Sequence, residues 1–105
     1  MIDWSRLTGF DWDDSNARKS ADKHDVSQAE SEQIFLNQPL LIMPDARHSQ
    51  SEARYHALGK TDTGRKLHVT FTLRTRETEM LIRVISARDM HRKERTYYAQ
   101  AKKDS

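Results

Sequence analysis

Three β-strand candidates follow one another closely in the second half of the chain, and they constrain the fold more than any other feature. Their apolar patterns place them at about 53–59, 65–73 and 79–86. The links between them are short and polar, with Asp62 and Gly64 in the first. Such links are too short for a crossover, so the three strands are predicted to be antiparallel neighbours. A short apolar run at 40–43, between two prolines, is predicted as a fourth strand.

The middle strand candidate has one apolar and one polar face. Its apolar side chains are Leu67, Val69, Phe71 and Leu73, and its polar ones are His68, Thr70, Thr72 and Arg74. The first set is predicted to lie in the core and the second to face solvent. The next strand is apolar on both faces except at Arg83, where a charge must be paired or functional.

Two helices are predicted before the sheet. Residues 10–12 alternate like a short edge strand, and residues 15–24 then form a polar helix with a narrow alanine stripe. The capping-box pattern from Ser27 to Glu30 opens a second helix, which ends by Asn37.

A last helix is predicted after the sheet. Residues 86–89 have the pattern of another helix cap, and apolar residues then recur at helical spacing to about Ala101. The predicted fold class is therefore α+β: a short N-terminal strand, two helices, a four-strand antiparallel sheet and a C-terminal helix. We expect a flexible extension at 1–9, a single domain at 10–101 and a flexible tail at 102–105.

Composition excludes several classes of protein. There is no cysteine among the 105 residues, which excludes disulfide scaffolds, thiolate metal sites and cysteine nucleophiles. The longest uncharged run, 33–44, is shorter than the roughly 20 apolar residues of a membrane span. The first residues lack the pattern of a signal peptide. We therefore expect a soluble, cytoplasmic protein without membrane contact.

The two halves of the chain differ in the sign of their charge. Residues 1–59 have 6 Lys and Arg against 10 Asp and Glu, a net charge of −4, whereas residues 60–105 have 12 against 6, a net charge of +6. A basic half suggests a polyanionic partner. Alternatively, the halves neutralise each other across an internal interface, and the surplus is an ordinary solvated surface.

Metal and cofactor sites have no signature in the sequence. No two of the five histidines have the spacing of a helical metal motif; they are His24, His48, His56, His68 and His91. Three glycines are too few for a phosphate-binding loop. We expect no metal and no cofactor.

The remaining candidates suit phosphodiester cleavage. This reaction needs a proton acceptor, a proton donor and cations around the phosphate, and in RNA the 2′-hydroxyl itself is the nucleophile. Residues of the right types are Lys23, His24, Arg83 and Arg88. Structural roles are the alternatives: His24 next to a helix C-terminus, Arg83 paired with Glu52 or Glu79, and Arg88, Arg92 and Arg95 as a solvated helix face.

Five stretches of the chain form an ordered set of motifs. They are Phe10-Asp11-Trp12-Asp13, Lys23-His24-Asp25-Val26-Ser27, Asp45-Ala46-Arg47-His48-Ser49 with Glu52-Ala53-Arg54-Tyr55, Leu58-Gly59 with Gly64-Arg65, and Phe71-Thr72 with Arg83-Val84-Ile85-Ser86-Ala87-Arg88, Glu94-Arg95 and Tyr98. Together they cover residues 10–98. In this order they resemble the BrnT family of type II toxin-antitoxin toxins, and the segment 85–88 with Glu94-Arg95 is the most specific part of the resemblance.

The resemblance implies a metal-independent, mRNA-cleaving ribonuclease with a RelE-like fold. It implies a BrnA-type ribbon-helix-helix antitoxin as partner, which also binds operator DNA, and it implies no membrane role. By position, Lys23 or His24 is expected to transfer protons, and Arg83 and Arg88 to stabilise the phosphate. RNA-binding residues are expected to be Arg54, Arg65, Arg92 and Arg95.

The chain departs from the family pattern at a few positions. The usual Lys-His-Gly-Val has Asp25 in place of the glycine, and the usual lysine and asparagine of the first helix are Asn16 and Ser20. Asp25 would either repel RNA or orient His24. The alternative function is therefore a weak or inactive toxin homologue that acts as an antitoxin-binding co-repressor.

Overall fold

A five-stranded sheet forms the centre of the computed structural model, which describes residues 2–47 and 52–104. Its strands are β1 (Leu7–Phe10), β2 (Leu41–Pro44), β3 (Arg54–Lys60), β4 (Lys66–Arg76) and β5 (Glu79–Asp89). The spatial order is β1-β5-β4-β3-β2. Strands β2 to β5 are antiparallel neighbours, as predicted, and the α+β class is confirmed.

A short N-terminal strand was predicted, but its place in the sheet was not. Strand β1 pairs in parallel with β5, so the sheet is mixed rather than a four-strand antiparallel one. It also begins three residues before the expected strand at 10–12, and a 3-10 turn at Trp4–Arg6 precedes it. Leu7 packs against the core, which explains why residues 7–9, expected as part of a flexible extension, belong to a strand.

In the described part of the chain, four helices pack around the sheet: α1 (Asp14–Ala17), α2 (Lys19–His24), α3 (Gln28–Gln33) and α4 (Arg92–Asp104). The single helix predicted at 15–24 is divided at Arg18. The capping box from Ser27 to Glu30 is confirmed, with the Glu30 backbone N–H donating to Oγ of Ser27 at 3.1 Å. Buried Asn16 donates to the Val84 carbonyl at 2.8 Å and so ties α1 to β5.

Strand β5 continues through residues 86–89, where the sequence suggested a helix cap. Ala87 pairs with Val69 and is fully buried, and Asp89 pairs with Leu67. Pairing with β4 thus overrides the local cap pattern, and α4 begins only at Arg92. Arg88 is consequently a strand residue and is separated from Arg92 and Arg95 on the helix.

The two faces of the sheet pack against different elements. On the back face, Leu67, Val69 and Phe71 pack with Val26 and Ile34 from the α2–α3 region. On the front face, Leu58 packs with Met90 and with Tyr98 of α4. The front face is therefore partly covered by α4, and Thr70 and Thr72, predicted to face solvent, are buried.

Candidate functional site

A cavity of about 580 Å³ lies between α4 and the front face of the sheet. We call it the front cavity. Its lining side chains are Met43, His56, Leu58, His68, Arg88, Lys93, Glu94 and Tyr97. Strand alternation explains how β3, β4 and β5 contribute, because Leu58, His68 and Arg88 are neighbours across the three strands and leave the same face.

An ion pair connects the sheet to the start of α4 in this cavity. The guanidinium of Arg88 donates to both carboxylate oxygens of Glu94, at 2.8 and 2.9 Å. Glu94 also accepts from the backbone N–H of His91, at 2.8 Å, and so caps the helix. Burial alone would raise the pKa of Glu94, but the hydrogen bonds from Arg88 and His91 outweigh it and lower the pKa to about 2.

Two histidines and one aspartate form a chain of hydrogen bonds next to the ion pair of Arg88 and Glu94. Nε2 of His68 lies 3.0 Å from Nδ1 of His56, and Nε2 of His56 lies 2.9 Å from Oδ2 of Asp45. The two rings are nearly parallel, with centroids 4.8 Å apart. The hydroxyl of Thr70 lies 3.0 Å from the same Nδ1 of His56. The ring of His56 is therefore held at both nitrogens.

The imidazole of His68 is neutral at neutral pH. Burial lowers its pKa, and the positive charge of Arg88 lowers it further, to about 4. Glu94 acts in the opposite direction but is outweighed. The cavity thus combines an unprotonated imidazole with the cations of Arg88 and Lys93. This set of groups is suited to bind a phosphate and to accept a proton.

Arg65, predicted to bind RNA, connects several elements on the back side of the sheet. Its guanidinium donates to Asp89 at 2.7 and 3.0 Å and to Glu30 at 3.1 and 3.3 Å. It also donates to the backbone carbonyls of Asp25 and His24. Hydrogen bonds from Arg65 lower the pKa of the Asp89 carboxyl. Arg65 therefore connects α2, α3, β4 and β5.

Lys23 and His24 form the last turn of α2, next to this Arg65 network. The chain turns at Asp25, whose φ of 55° lies in the left-handed region. Arg88 and Asp89 leave opposite faces of β5, so His24 is on the Asp89 side rather than in the front cavity.

Arg83 is paired at the other end of β5. It donates to the Asp13 carboxylate at 3.0 and 3.1 Å and to the Ser15 hydroxyl at 2.7 Å, and Asp11 lies at 3.5 Å. The sequence-based alternatives, Glu52 and Glu79, were the wrong partners, and Glu52 pairs with Arg74 at 3.4 Å. The five residue-to-residue steps from Arg83 to Arg88 span roughly 16 Å of strand. The four predicted catalytic residues therefore do not converge.

The other predicted RNA-binding residues lie on either side of the front cavity. Arg92 and Arg95 line a groove of about 380 Å³ with Lys66. By helical spacing, this groove follows the side of α4 next to the one that faces the cavity. Arg54 is in β3, two residues before His56 and on the same strand face.

Sequence analysis missed the roles of Asp45, His56, His68, Lys93 and Glu94. A signal for the histidine pair was present: a turn centred near residue 63 makes His68 the partner of Leu58 and brings it diagonally next to His56. His48, also counted among the histidines, lies outside the described residues. Within residues 2–47 and 52–104, no three side chains of the metal-binding types are grouped to hold an ion.

Comparisons with known proteins identify the family of the chain. None of the helices in the described ranges has the length and apolarity needed to cross a membrane. No curated protein matches the chain. Residues 12–94 match the family described as "Ribonuclease toxin, BrnT, of type II toxin-antitoxin system". This match covers most of the chain, from Trp12 to Glu94. The chain therefore belongs to the BrnT family of ribonuclease toxins from type II toxin-antitoxin systems.

Proposed function

We propose that this chain is a metal-independent endoribonuclease that cleaves mRNA in the front cavity. The observation that carries the proposal is that Arg88 and the neutral imidazole of His68 line one cavity. A guanidinium binds a phosphodiester, and an unprotonated imidazole accepts a proton. The nucleophile comes from the substrate, because the 2′-hydroxyl of RNA lies next to the phosphate that it attacks.

The reaction begins when O2′ attacks phosphorus and its proton passes to an imidazole of the cavity. Negative charge then increases on the phosphate oxygens, where Arg88 and Lys93 stabilise it. The bond from phosphorus to O5′ breaks, and O5′ takes a proton from water. Water has access because Tyr97, which lines the cavity, is 54% exposed. The products are a 2′,3′-cyclic phosphate and a free 5′-hydroxyl.

Of the four predicted catalytic residues, this scheme retains Arg88. Arg83 is occupied by Asp13, and Lys23 and His24 lie on the side of Asp89. Arg54, Arg92 and Arg95 are proposed to bind phosphates on either side of the cleaved bond, since they lie next to the cavity. Arg65 is assigned a structural role, because its donors already face carboxylates and carbonyls.

The protein partner is proposed to be a BrnA-type ribbon-helix-helix antitoxin that covers the front cavity and the basic groove of α4. The support is the family resemblance, together with the concentration of Lys66, Arg92 and Arg95 in that groove, which suits an acidic segment. The toxin would then reach operator DNA through the antitoxin. A structure of the complex that leaves Arg88 and Arg92 uncovered would contradict this arrangement.

The test is an RNA-cleavage time course in EDTA with protein freed of antitoxin. We expect Arg88→Ala to lower the cleavage rate by about 100-fold, the usual effect of removing one group that stabilises transition-state charge. Arg18→Ala is the matched control, because Arg18 is exposed at the junction of α1 and α2; it should cleave like the wild type. Circular dichroism checks the fold of each variant.

Two outcomes would reject the proposal. Cleavage that requires a divalent cation would remove metal independence. A folded wild type that leaves RNA intact would instead favour the alternative, an antitoxin-binding co-repressor without ribonuclease activity.

A further inference from the structure

We propose that His68 is the general base of the RNA-cleavage reaction and that His56 and Asp45 form a proton relay behind it. This inference rests on the proposed function and assigns its proton-transfer step. His68 is the catalytic residue, because it reaches the substrate hydroxyl, whereas His56 and Asp45 act through it and are positioning residues.

The proton on each ring is assigned from the chain of hydrogen bonds, starting at the Asp45 carboxylate. Oδ2 of Asp45 is an acceptor, so the facing Nε2 of His56 is the donor. With that proton on Nε2, Nδ1 of His56 is assigned as the acceptor of a hydrogen bond from the Nε2–H of His68, 3.0 Å away. Nδ1 of His68 is left with its lone pair. In the part of the chain that the structure describes, nothing donates to this lone pair, so it is available to a substrate.

Relay of the proton explains how a buried imidazole can act as a base. A positive charge kept on His68 is opposed by burial and by Arg88, which hold its pKa at about 4. If the Nε2 proton moves on, the charge instead lies on His56, whose Nε2 is 2.9 Å from the Asp45 carboxylate. The groups around His68 on the neighbouring elements are His56 of β3, Arg88 of β5, His91 before α4, and Lys93 and Glu94 of α4.

Each proton in this step has a donor and an acceptor. The O2′–H bond breaks, and a new N–H bond forms at Nδ1 of His68. The Nε2–H bond of His68 breaks, and a new N–H bond forms at Nδ1 of His56. The Thr70 hydroxyl oxygen, 3.0 Å from that Nδ1, accepts a hydrogen bond from the new N–H after the transfer. The relay returns to its first state when the Nδ1 proton of His56 moves back to Nε2 of His68 and the Nδ1 proton of His68 passes to the hydroxide left by the water that protonated O5′.

The first experiment compares pH–rate profiles of RNA cleavage. His68→Gln should lose about 100-fold in kcat, the usual contribution of a general base. Asp45→Asn should lower kcat with little change in KM and move the acidic limb of the profile about one unit to lower pH, because the protonated relay loses its counter-charge. Asp45→Glu, which restores the charge, should recover part of the rate. Arg18→Ala is the control, because Arg18 is exposed at the junction of α1 and α2.

If Asp45→Asn lowers the rate equally at every pH and the acidic limb of the profile does not move, Asp45 has only a structural role and the relay is overturned. If that variant does not fold, His56→Gln tests the same limb. Full activity in folded His68→Gln, with the wild type still cleaving, would overturn the assignment of His68 while the proposed function stands.

The second experiment does not depend on activity. Nitrogen-15 NMR of the imidazoles at pH 7 should find His56 and His68 both protonated at Nε2. In Asp45→Asn the preference of His56 for protonation at Nε2 should weaken, and in His91→Gln this preference should persist. The opposite tautomer at His68 would overturn the relay even if RNA is cleaved. An inactive wild type with the expected tautomers would remove the proposed function and leave the hydrogen-bond chain as a structural element only.

Discussion

Arg88 and Asp89 are neighbours in β5, yet their side chains leave opposite faces of the sheet and enter separate ion-pair networks. Arg88 donates to Glu94 at 2.8 and 2.9 Å in the front cavity. Asp89 accepts from Arg65 at 2.7 and 3.0 Å on the back side. One network surrounds the candidate site and the other connects structural elements, so substitutions in the two should affect different properties.

Glu94→Gln should weaken the fold and strengthen RNA binding. The substitution removes the negative charge that faces Arg88. We expect this to lower the free energy of unfolding by about 1–2 kcal/mol. It also removes a carboxylate that competes with the substrate phosphate for Arg88. Urea unfolding and the KM for a short RNA measure the two effects. A KM that rises would contradict the competition.

Arg65→Met should act on stability and leave RNA binding unchanged. The substitution leaves Asp89 and Glu30 without their shared partner, and we expect a loss of about 1–3 kcal/mol. Urea unfolding gives the free energy, and KM for the folded variant tests the sequence-based expectation of an RNA-binding role. Arg18→Met, on the exposed side of the helical region, should change neither quantity.

Stability should fall as the pH is lowered from about 6.5 to 4, because of His68. In the unfolded chain a histidine has its ordinary pKa near 6.5, whereas burial and Arg88 hold the pKa of His68 at about 4 in the fold. The unfolded state therefore binds more protons in this window, and the folded state loses up to about 3 kcal/mol towards pH 4.

The control for this effect is His68→Gln, which cannot titrate. Its free energy of unfolding, measured in urea at several pH values, should change less between pH 6.5 and 4 than that of the wild type. Equal slopes in the two proteins would assign the acid sensitivity to other groups. Glu94, with a pKa of about 2, acts only below about pH 4.5.

Sequence patterns predicted the sheet well where each strand follows its own alternation. Val69 and Phe71 are buried on the back face as their spacing indicated, and the short links made the neighbours antiparallel. The parallel pairing of β1 with β5 was missed because it joins residues more than 70 positions apart. The prediction of a helix cap at 86–89 is wrong for a related reason, since the pairing of these residues with β4 outweighs their local preference.

The candidate site was only partly accessible from sequence. Resemblance to the family indicated Arg88, but its partner Glu94 depends on where α4 begins. His56 and His68 are twelve residues apart and meet because of the hairpin register. Asp45 joins them from the end of β2. Such contacts depend on pairing between strands, which no single stretch of sequence contains.

Asp25→Gly should stabilise the fold without changing RNA cleavage. Asp25 has a φ of 55°, a conformation that costs most residues about 1 kcal/mol, and its carboxylate lies at the C-terminal end of α2, where negative charge is unfavourable. Glycine removes both costs but adds conformational freedom to the unfolded chain. We therefore expect the free energy of unfolding, measured by thermal unfolding, to rise by about 0.5 kcal/mol.

Asp25→Asn separates charge from backbone conformation, because asparagine tolerates this φ without a charge. It should recover the electrostatic part of the gain alone. If the catalytic groups lie in the front cavity, both variants should cleave RNA at the wild-type rate, since Asp25 is on the side of Asp89 and Arg65. A large increase in cleavage by Asp25→Gly would instead locate the reaction at Lys23 and His24, where the sequence alone first suggested it.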